Sequence, residues 1–242
     1  MRLEIKNIAI VGCGGAIGFA FTKLLSDTYT QATIHAFSRK MPSDLLPEVN
    51  YHIIDYSDES EIEKGAMTAT SGGPLDLVIV AIGMLHENSI MPEKSLSELS
   101  DEKFLRLFEV NAIYPALIAK HFLPKLNDAS PSYFAALSAR IGSISDNQLG
   151  GWYAYRASKA ALNMILKTAS IEVARSNKQA VIVGLHPGTV DSPLSKPFQN
   201  YVKKENLFTP SDAANKLLEV LSNLKPSDSG KCFAWDGKEI LP

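Results

Sequence analysis

The stretch Ile5-Lys6-Asn7-Ile8-Ala9-Ile10-Val11-Gly12-Cys13-Gly14-Gly15-Ala16-Ile17-Gly18 decides the fold. Ile5–Val11 is a short run rich in β-branched residues and reads as a strand. Gly12, Gly14, Gly15 and Gly18 then crowd a turn, an amphipathic pattern from about Ala16 to Leu25 reads as a helix, and Thr33–Phe37 reads as a second strand. That order is βαβ. A glycine-rich turn there lets the backbone approach a pyrophosphate, whose charge meets the helix N-terminus. Gly12, Gly14, Gly15, Ala16, Ile17 and Gly18 are therefore candidate dinucleotide contacts.

Working outward, the same alternation continues. Further strands are predicted at Tyr51–Ile54, Leu75–Ile82, Tyr133–Leu137, Ala180–Leu185 and Lys231–Trp235. Helices are predicted around Glu59–Ala69, Asp101–Asn111, Pro115–Leu123, Tyr153–Ala174 and Pro210–Leu221. Near-continuous apolar strands such as Leu77-Val78-Ile79-Val80-Ala81-Ile82 suit a parallel sheet covered on both faces. The expected class is α/β, a doubly wound, mostly parallel sheet with helices on both faces. At 242 residues and 45% hydrophobic content the chain fits one domain, 1–242, with no repeat or linker. Residues 188–208 lack clear periodicity and carry two prolines, Pro193 and Pro197, which makes them a candidate substrate lid. The apolar Leu194, Phe198 and Tyr201 in this segment hint at a nonpolar ligand.

Composition narrows function. A net charge of −2 without a long basic stripe argues against a nucleic-acid surface. The apolar stretch from Ile8 to Phe21 is shorter than a membrane span. Ile10-Val11-Gly12-Cys13 looks like a lipoprotein cleavage site, but its apolar lead is too short for a signal core, so a cytoplasmic location is expected. Cys13 and Cys232 have no disulfide or metal spacing, and His35, His52, His86, His121 and His186 are scattered, so no metal is expected.

Two local patterns carry chemistry. Tyr155 and Lys159, four apart in a predicted helix, share one face, where an ammonium can stabilise a phenolate. The second strand ends in Phe37-Ser38-Arg39-Lys40, which offers a hydroxyl and cations where a carboxylate would repel a 2′-phosphate. Ser38 and Arg39 thus favour NADP(H), with NAD(H) the second option. Asp55, after the third strand, is placed to accept from an adenine amine.

With Asn111 on a middle helix and serines after the fifth strand, these features resemble the classical short-chain dehydrogenase/reductases over nearly the whole chain. Gly142-Ser143-Ile144-Ser145-Asp146-Asn147, Tyr153–Ala161 and Phe233-Ala234-Trp235-Asp236-Gly237 look most like the subgroup of C-factor and sniffer-type carbonyl reductases. The resemblance implies a seven-stranded Rossmann-type sheet and hydride transfer between nicotinamide and a small carbonyl or alcohol substrate. It implies that Tyr155 is the proton donor, that Lys159 binds the nicotinamide ribose, and that Asn111 holds a water in a proton relay. Pro187, Gly188 and Val190 would meet the nicotinamide amide, and Ala81 and Gly83 would line the cofactor after the fourth strand. The family often builds homodimers or homotetramers.

The chain also departs from the pattern. Val11 and Ala16 replace a threonine and a glycine of the family's turn, and Val80-Ala81-Ile82-Gly83 replaces N-N-A-G. In Ser138-Ala139-Arg140-Ile141-Gly142, alanine stands where the family places its catalytic serine. Ser138 is the expected substitute; Ser143 or no serine are the alternatives. These departures keep open a second reading, a dinucleotide-binding signalling or regulatory protein with little turnover.

Overall fold

The computed structural model describes residues 4–87 and 90–242, leaving the Tyr201 side chain outside the described residues. The expected alternation forms one eight-stranded sheet. Strand β1 (Asn7–Val11) leads through α1 (Ala16–Thr28) to β2 (Thr33–Ser38) and β3 (Val49–Ile53). Helix α2 (Glu59–Ala69) crosses back to β4 (Leu77–Val80), which pairs with the other side of β1. Helices α3 (Asp101–Phe108) and α4 (Tyr114–Phe122) then lead to β5 (Ser132–Leu137), and α5 (Tyr153–Val173) leads to β6 (Ala180–His186). Short strands β7 (Thr189–Val190) and β8 (Leu207–Phe208) precede α6 (Pro210–Asn223), β9 (Cys232–Ala234) and β10 (Glu239–Ile240).

The strand order is β10-β9-β6-β5-β4-β1-β2-β3, and every neighbouring pair is parallel except β10 with β9. The expected count of seven strands is corrected to eight: the turn at Gly237 brings Glu239–Ile240 back along β9. Because side chains alternate across a strand, β1 feeds two cores. Ala9 and Val11 pack with Ile62, Phe122 and Leu162 beneath α2, α4 and α5, while Ile8 and Ile10 pack with Phe21, Leu25 and Leu217 beneath α1 and α6.

Two expectations change in detail. The predicted helices at Asp101–Asn111 and Pro115–Leu123 run together, joined by a π-helical turn at Glu109–Ile113. Pro115 follows directly on the π turn, where the helical hydrogen-bond ladder is already offset, and the rod continues through it. The 188–208 segment is not structureless: β7 pairs with β8 and ties its ends together, and a 3₁₀ turn spans Lys196–Tyr201. Strand order reverses direction between β4 and β1, so a crevice is expected at their carboxyl ends.

Candidate active site

The predicted site residues lie at the carboxyl ends of the parallel strands or on α5 and the π turn. Gly12, Gly14, Gly15, Ala16, Ile17 and Gly18 carry the chain from β1 into α1. A Cβ at Gly18 would collide with the Gly12 carbonyl, so the tight join between turn and helix requires glycine. The first turn of α1 has no side-chain cap and no acidic residue, and a cavity of about 680 Å³ opens along Gly14, Gly15 and Ala16. Uncapped amides with a positive helix end facing a cavity suit a pyrophosphate.

At the end of β2 the Ser38 hydroxyl donates to the Lys40 carbonyl at 2.6 Å, while Arg39 stays exposed. Hydrogen bonds from Ser57, and in smaller part the Arg39 charge, hold the Asp55 carboxyl below the usual carboxylate range. Ala81 N–H donates to the Val11 carbonyl at 2.7 Å, joining the loop after β4 to the glycine turn. Pro187, Gly188 and Val190 follow β6 directly, with Val190 buried.

Asn111, fully buried within the π turn, accepts from Met84 N–H and donates to the Met84 carbonyl, both at 2.8 Å. It therefore holds the loop after β4 despite the replaced N-N-A-G residues. Its Nδ2 also donates to the Ser158 hydroxyl at 3.1 Å, and Ser158 donates to the Tyr155 carbonyl at 2.9 Å. A π turn aims such a side chain where an α-helical one would not reach.

Lys159 is buried, and its Nζ donates to the Leu137 carbonyl at 2.8 Å. A Cβ at Gly83 would lie 3.5 Å from Lys159 Nζ and 3.6 Å from Asn111 Oδ1, so the ammonium and the amide flank one residue. Burial lowers the Lys159 ammonium to about 8 and raises the Tyr155 phenol to about 12. Both stay protonated at neutral pH. At Gly142 a Cβ would come within 2.8 Å of the Lys159 backbone, so α5 reaches the sheet end only over a glycine.

Neither candidate serine offers a free hydroxyl. Ser138, the expected substitute for the catalytic serine, is 4% exposed and donates to Asn163 Oδ1 at 2.6 Å. Backbone alternation explains the outcome: residue 138 turns toward α5, and the extended Ala139 takes the partly exposed opposite face. Ser143 is buried and accepts from Asp146 N–H at 3.1 Å.

Sequence reading missed Ser158, Asn163, Trp152 and Glu93. Glu93, 1% exposed, takes Trp152 N–H on its carbonyl at 2.5 Å and Ala154 N–H on its carboxylate at 3.3 Å, fixing the start of α5. Its neighbours Met91, Pro92 and Lys94 gave no sign of burial. Among the described residues no group of three or more His, Cys, Asp or Glu is placed to hold a metal, and no helix is long and apolar enough to cross a membrane.

A doubly wound sheet with a glycine turn at its switch point and a tyrosine–lysine helix beside it defines a dinucleotide-binding α/β protein of the Rossmann type. The short chain dehydrogenase family model matches residues 6–202, so the chain belongs to the short-chain dehydrogenase family of oxidoreductases. It is 29% identical over 168 residues to the C-signal protein of Myxococcus xanthus, covering 69% of this chain and 93% of that one. It is also 29% identical over 185 residues to the 1-hydroxy-2-glutathionyl-2-methyl-3-butene dehydrogenase of Rhodococcus sp. (strain AD45), covering 76% of each. Two solved folds are close: the carbonyl reductase Sniffer of D. melanogaster (TM-score 0.85, 21% identity) and an NADPH-bound carbonyl reductase from chicken fatty liver (TM-score 0.84, 24% identity). Each match covers 99% of this chain and all of the other.

Proposed function

We propose that this protein is an NADP(H)-dependent reductase of small or medium carbonyl compounds, acting through Tyr155, Lys159 and Asn111. The observation that carries this reading is the convergence of the Lys159 ammonium and the Asn111 amide on Gly83, with Tyr155 one turn from Lys159. The glycine turn with Ser38, Arg39, Asp55, Ala81, Gly83, Pro187, Gly188 and Val190 would hold the dinucleotide. When bound, the nicotinamide cofactor supplies hydride to the carbonyl carbon. Tyr155 donates its phenolic proton to the carbonyl oxygen as negative charge develops there. Lys159 favours the resulting phenolate by Coulomb attraction. Asn111, fixed by Met84 and Ser158, holds the relay that returns a proton. Residues 188–208 close over the site as a lid.

The engaged hydroxyls of Ser138 and Ser143 favour a second reading, in which the dinucleotide is bound for signalling and turnover is low. Oxidation of NADPH by a panel of aldehydes and ketones separates the two. Wild type is expected to turn over, and Tyr155→Phe to lose roughly 10²–10⁴-fold in kcat. Cofactor binding without any turnover would sink the reductase reading. For cofactor choice, Arg39→Ala is expected to weaken NADPH by about tenfold or more while sparing NADH; equal losses would rule out the role given to Arg39.

A further inference from the structure

We infer that Trp152 and Phe198 form an aromatic wall beside Tyr155 that selects flat, aryl-bearing carbonyl substrates over saturated ones of equal size; this rests on the reductase reading above. Trp152 is the non-glycine residue with positive φ among the described residues, at φ 51° and ψ 44°. It follows Gly150 and Gly151, which are left-handed too, so three successive residues take a conformation that L side chains disfavour. The surroundings hold it there. Trp152 N–H donates to the Glu93 carbonyl at 2.5 Å, and Arg156 donates to the carbonyls of Gly151 at 3.0 Å and Gly150 at 3.1 Å.

This strained turn puts the indole between the phenol and the 188–208 segment. The Trp152 ring lies edge-on to Tyr155 at 6.3 Å and tilted against Phe198 at 4.9 Å. Phe198 in turn meets His86 at 5.8 Å, and His86 Nε2 lies 3.2 Å from the Pro193 carbonyl, which links the loop after β4 to the same segment. All four rings are partly exposed. Tyr155 also lines a small, tightly packed crevice with Leu85, Ile90 and Leu107. A carbonyl that reaches Tyr155 thus carries its substituent along ring faces and edges. An aryl group gains quadrupole contacts there that a saturated ring of the same carbon count lacks, worth about twofold to tenfold per ring pair. Backbone strain held beside the proton donor is the pattern expected where a side chain is kept for a ligand.

The test compares kcat/KM for methyl phenyl ketone and methyl cyclohexyl ketone with NADPH, in wild type, Trp152→Gly, Trp152→Phe and Phe198→Ala. Changes in the phenyl-to-cyclohexyl ratio between variants cancel the intrinsic reactivity of the two ketones. Trp152→Gly, which suits a left-handed backbone, is expected to lower the ratio about tenfold through KM, Phe198→Ala about threefold, and Trp152→Phe to retain most of it. A ratio unchanged in Trp152→Gly overturns the wall. If neither ketone turns over in wild type, the aldehyde and ketone panel decides the reductase reading separately, and the matching phenyl and cyclohexyl alcohols are titrated into the NADP-loaded protein by calorimetry. Phenyl preference lost in Trp152→Gly then supports the wall; no preference, or no binding, overturns it.

Discussion

The two ends of the sheet bury polar groups to the same depth and use them differently. At the amino end, Asp76, 3% exposed, accepts from Lys6 N–H at 2.8 Å, Asn7 N–H at 3.0 Å and Asn127 Nδ2 at 2.8 Å. Asn7 Nδ2 donates to the carbonyls of Ala69 and Gly73, and Asn127 accepts from Ser132 and Asn177. This knot joins the entries to β1, β4 and β5, and among its members only Asn7 Oδ1 lacks a partner. At the carboxyl end the Lys159 ammonium has one hydrogen bond, to Leu137, His186 Nδ1 has none, and Trp152 is left-handed. A satisfied polar group fixes register; an under-satisfied one raises the energy of the folded chain and is free to engage a ligand. Burial of polar atoms therefore does not mark a site, and neither does a single missing partner, which Asn7 Oδ1 shows at the amino end; an under-satisfied ammonium together with backbone strain sets the carboxyl end apart.

The strongest way to break this comparison is Lys159→Met. Turnover is expected to fall at least about a hundredfold, because the phenolate loses its counter-charge. Stability at pH 7 is expected to rise by up to roughly 3 kcal/mol, the equivalent of lowering the ammonium from 10.5 to about 8, less the lost bond to Leu137. Between pH 8 and 10.5 the unfolded chain binds the proton and the folded one does not, so wild type gains stability as pH rises. The advantage of the variant should therefore shrink across that window in urea melts. A variant less stable than wild type at pH 7 would put Lys159 with the structural polar groups.

Asp76→Ala should behave in the opposite way. It leaves the buried Asn7 N–H, the part-buried Lys6 N–H and the Asn127 amide without their acceptor, so a loss of about 2–4 kcal/mol in stability is expected from denaturant melts, with kcat per folded molecule unchanged. Lost kcat at wild-type stability would erase the distinction between the two ends. The smallest effect sharpens the carboxyl end alone. Ala139→Ser adds a hydroxyl on the partly exposed face that Ser138 does not reach, and is expected to raise kcat for ketone reduction by up to about tenfold. An unchanged kcat would mean that the site gains nothing from a donor there.

Much of the fold was legible in the chain itself. Apolar runs alternating with amphipathic stretches give βαβ units, and the glycines at 12, 14, 15 and 18 mark the turn at the switch point. The eighth strand was not legible, because Glu239–Ile240 is two residues long and forms only where β9 offers a free edge. The π turn was hidden for a similar reason: no propensity encodes it, and it follows from Asn111 being pulled onto Met84. At the site, Tyr155 and Lys159 were visible because one helix sets both. Glu93, Asn163 and Trp152 act through partners distant in sequence, and nothing local distinguishes them.

By itself, then, the sequence determined the layered α/β architecture, the glycine-rich turn at the switch point and the tyrosine–lysine spacing, since each depends on a period or conformation of a single short segment. The tertiary structure decided which serine was spent on packing, how deeply Lys159 is buried, and where Trp152 points. Those outcomes depend on the alternation of β5 at residues 138 and 139, on α5 passing over Gly142, and on Glu93 gripping the start of α5. Such contacts join segments tens of residues apart, and only the packed fold brings them together.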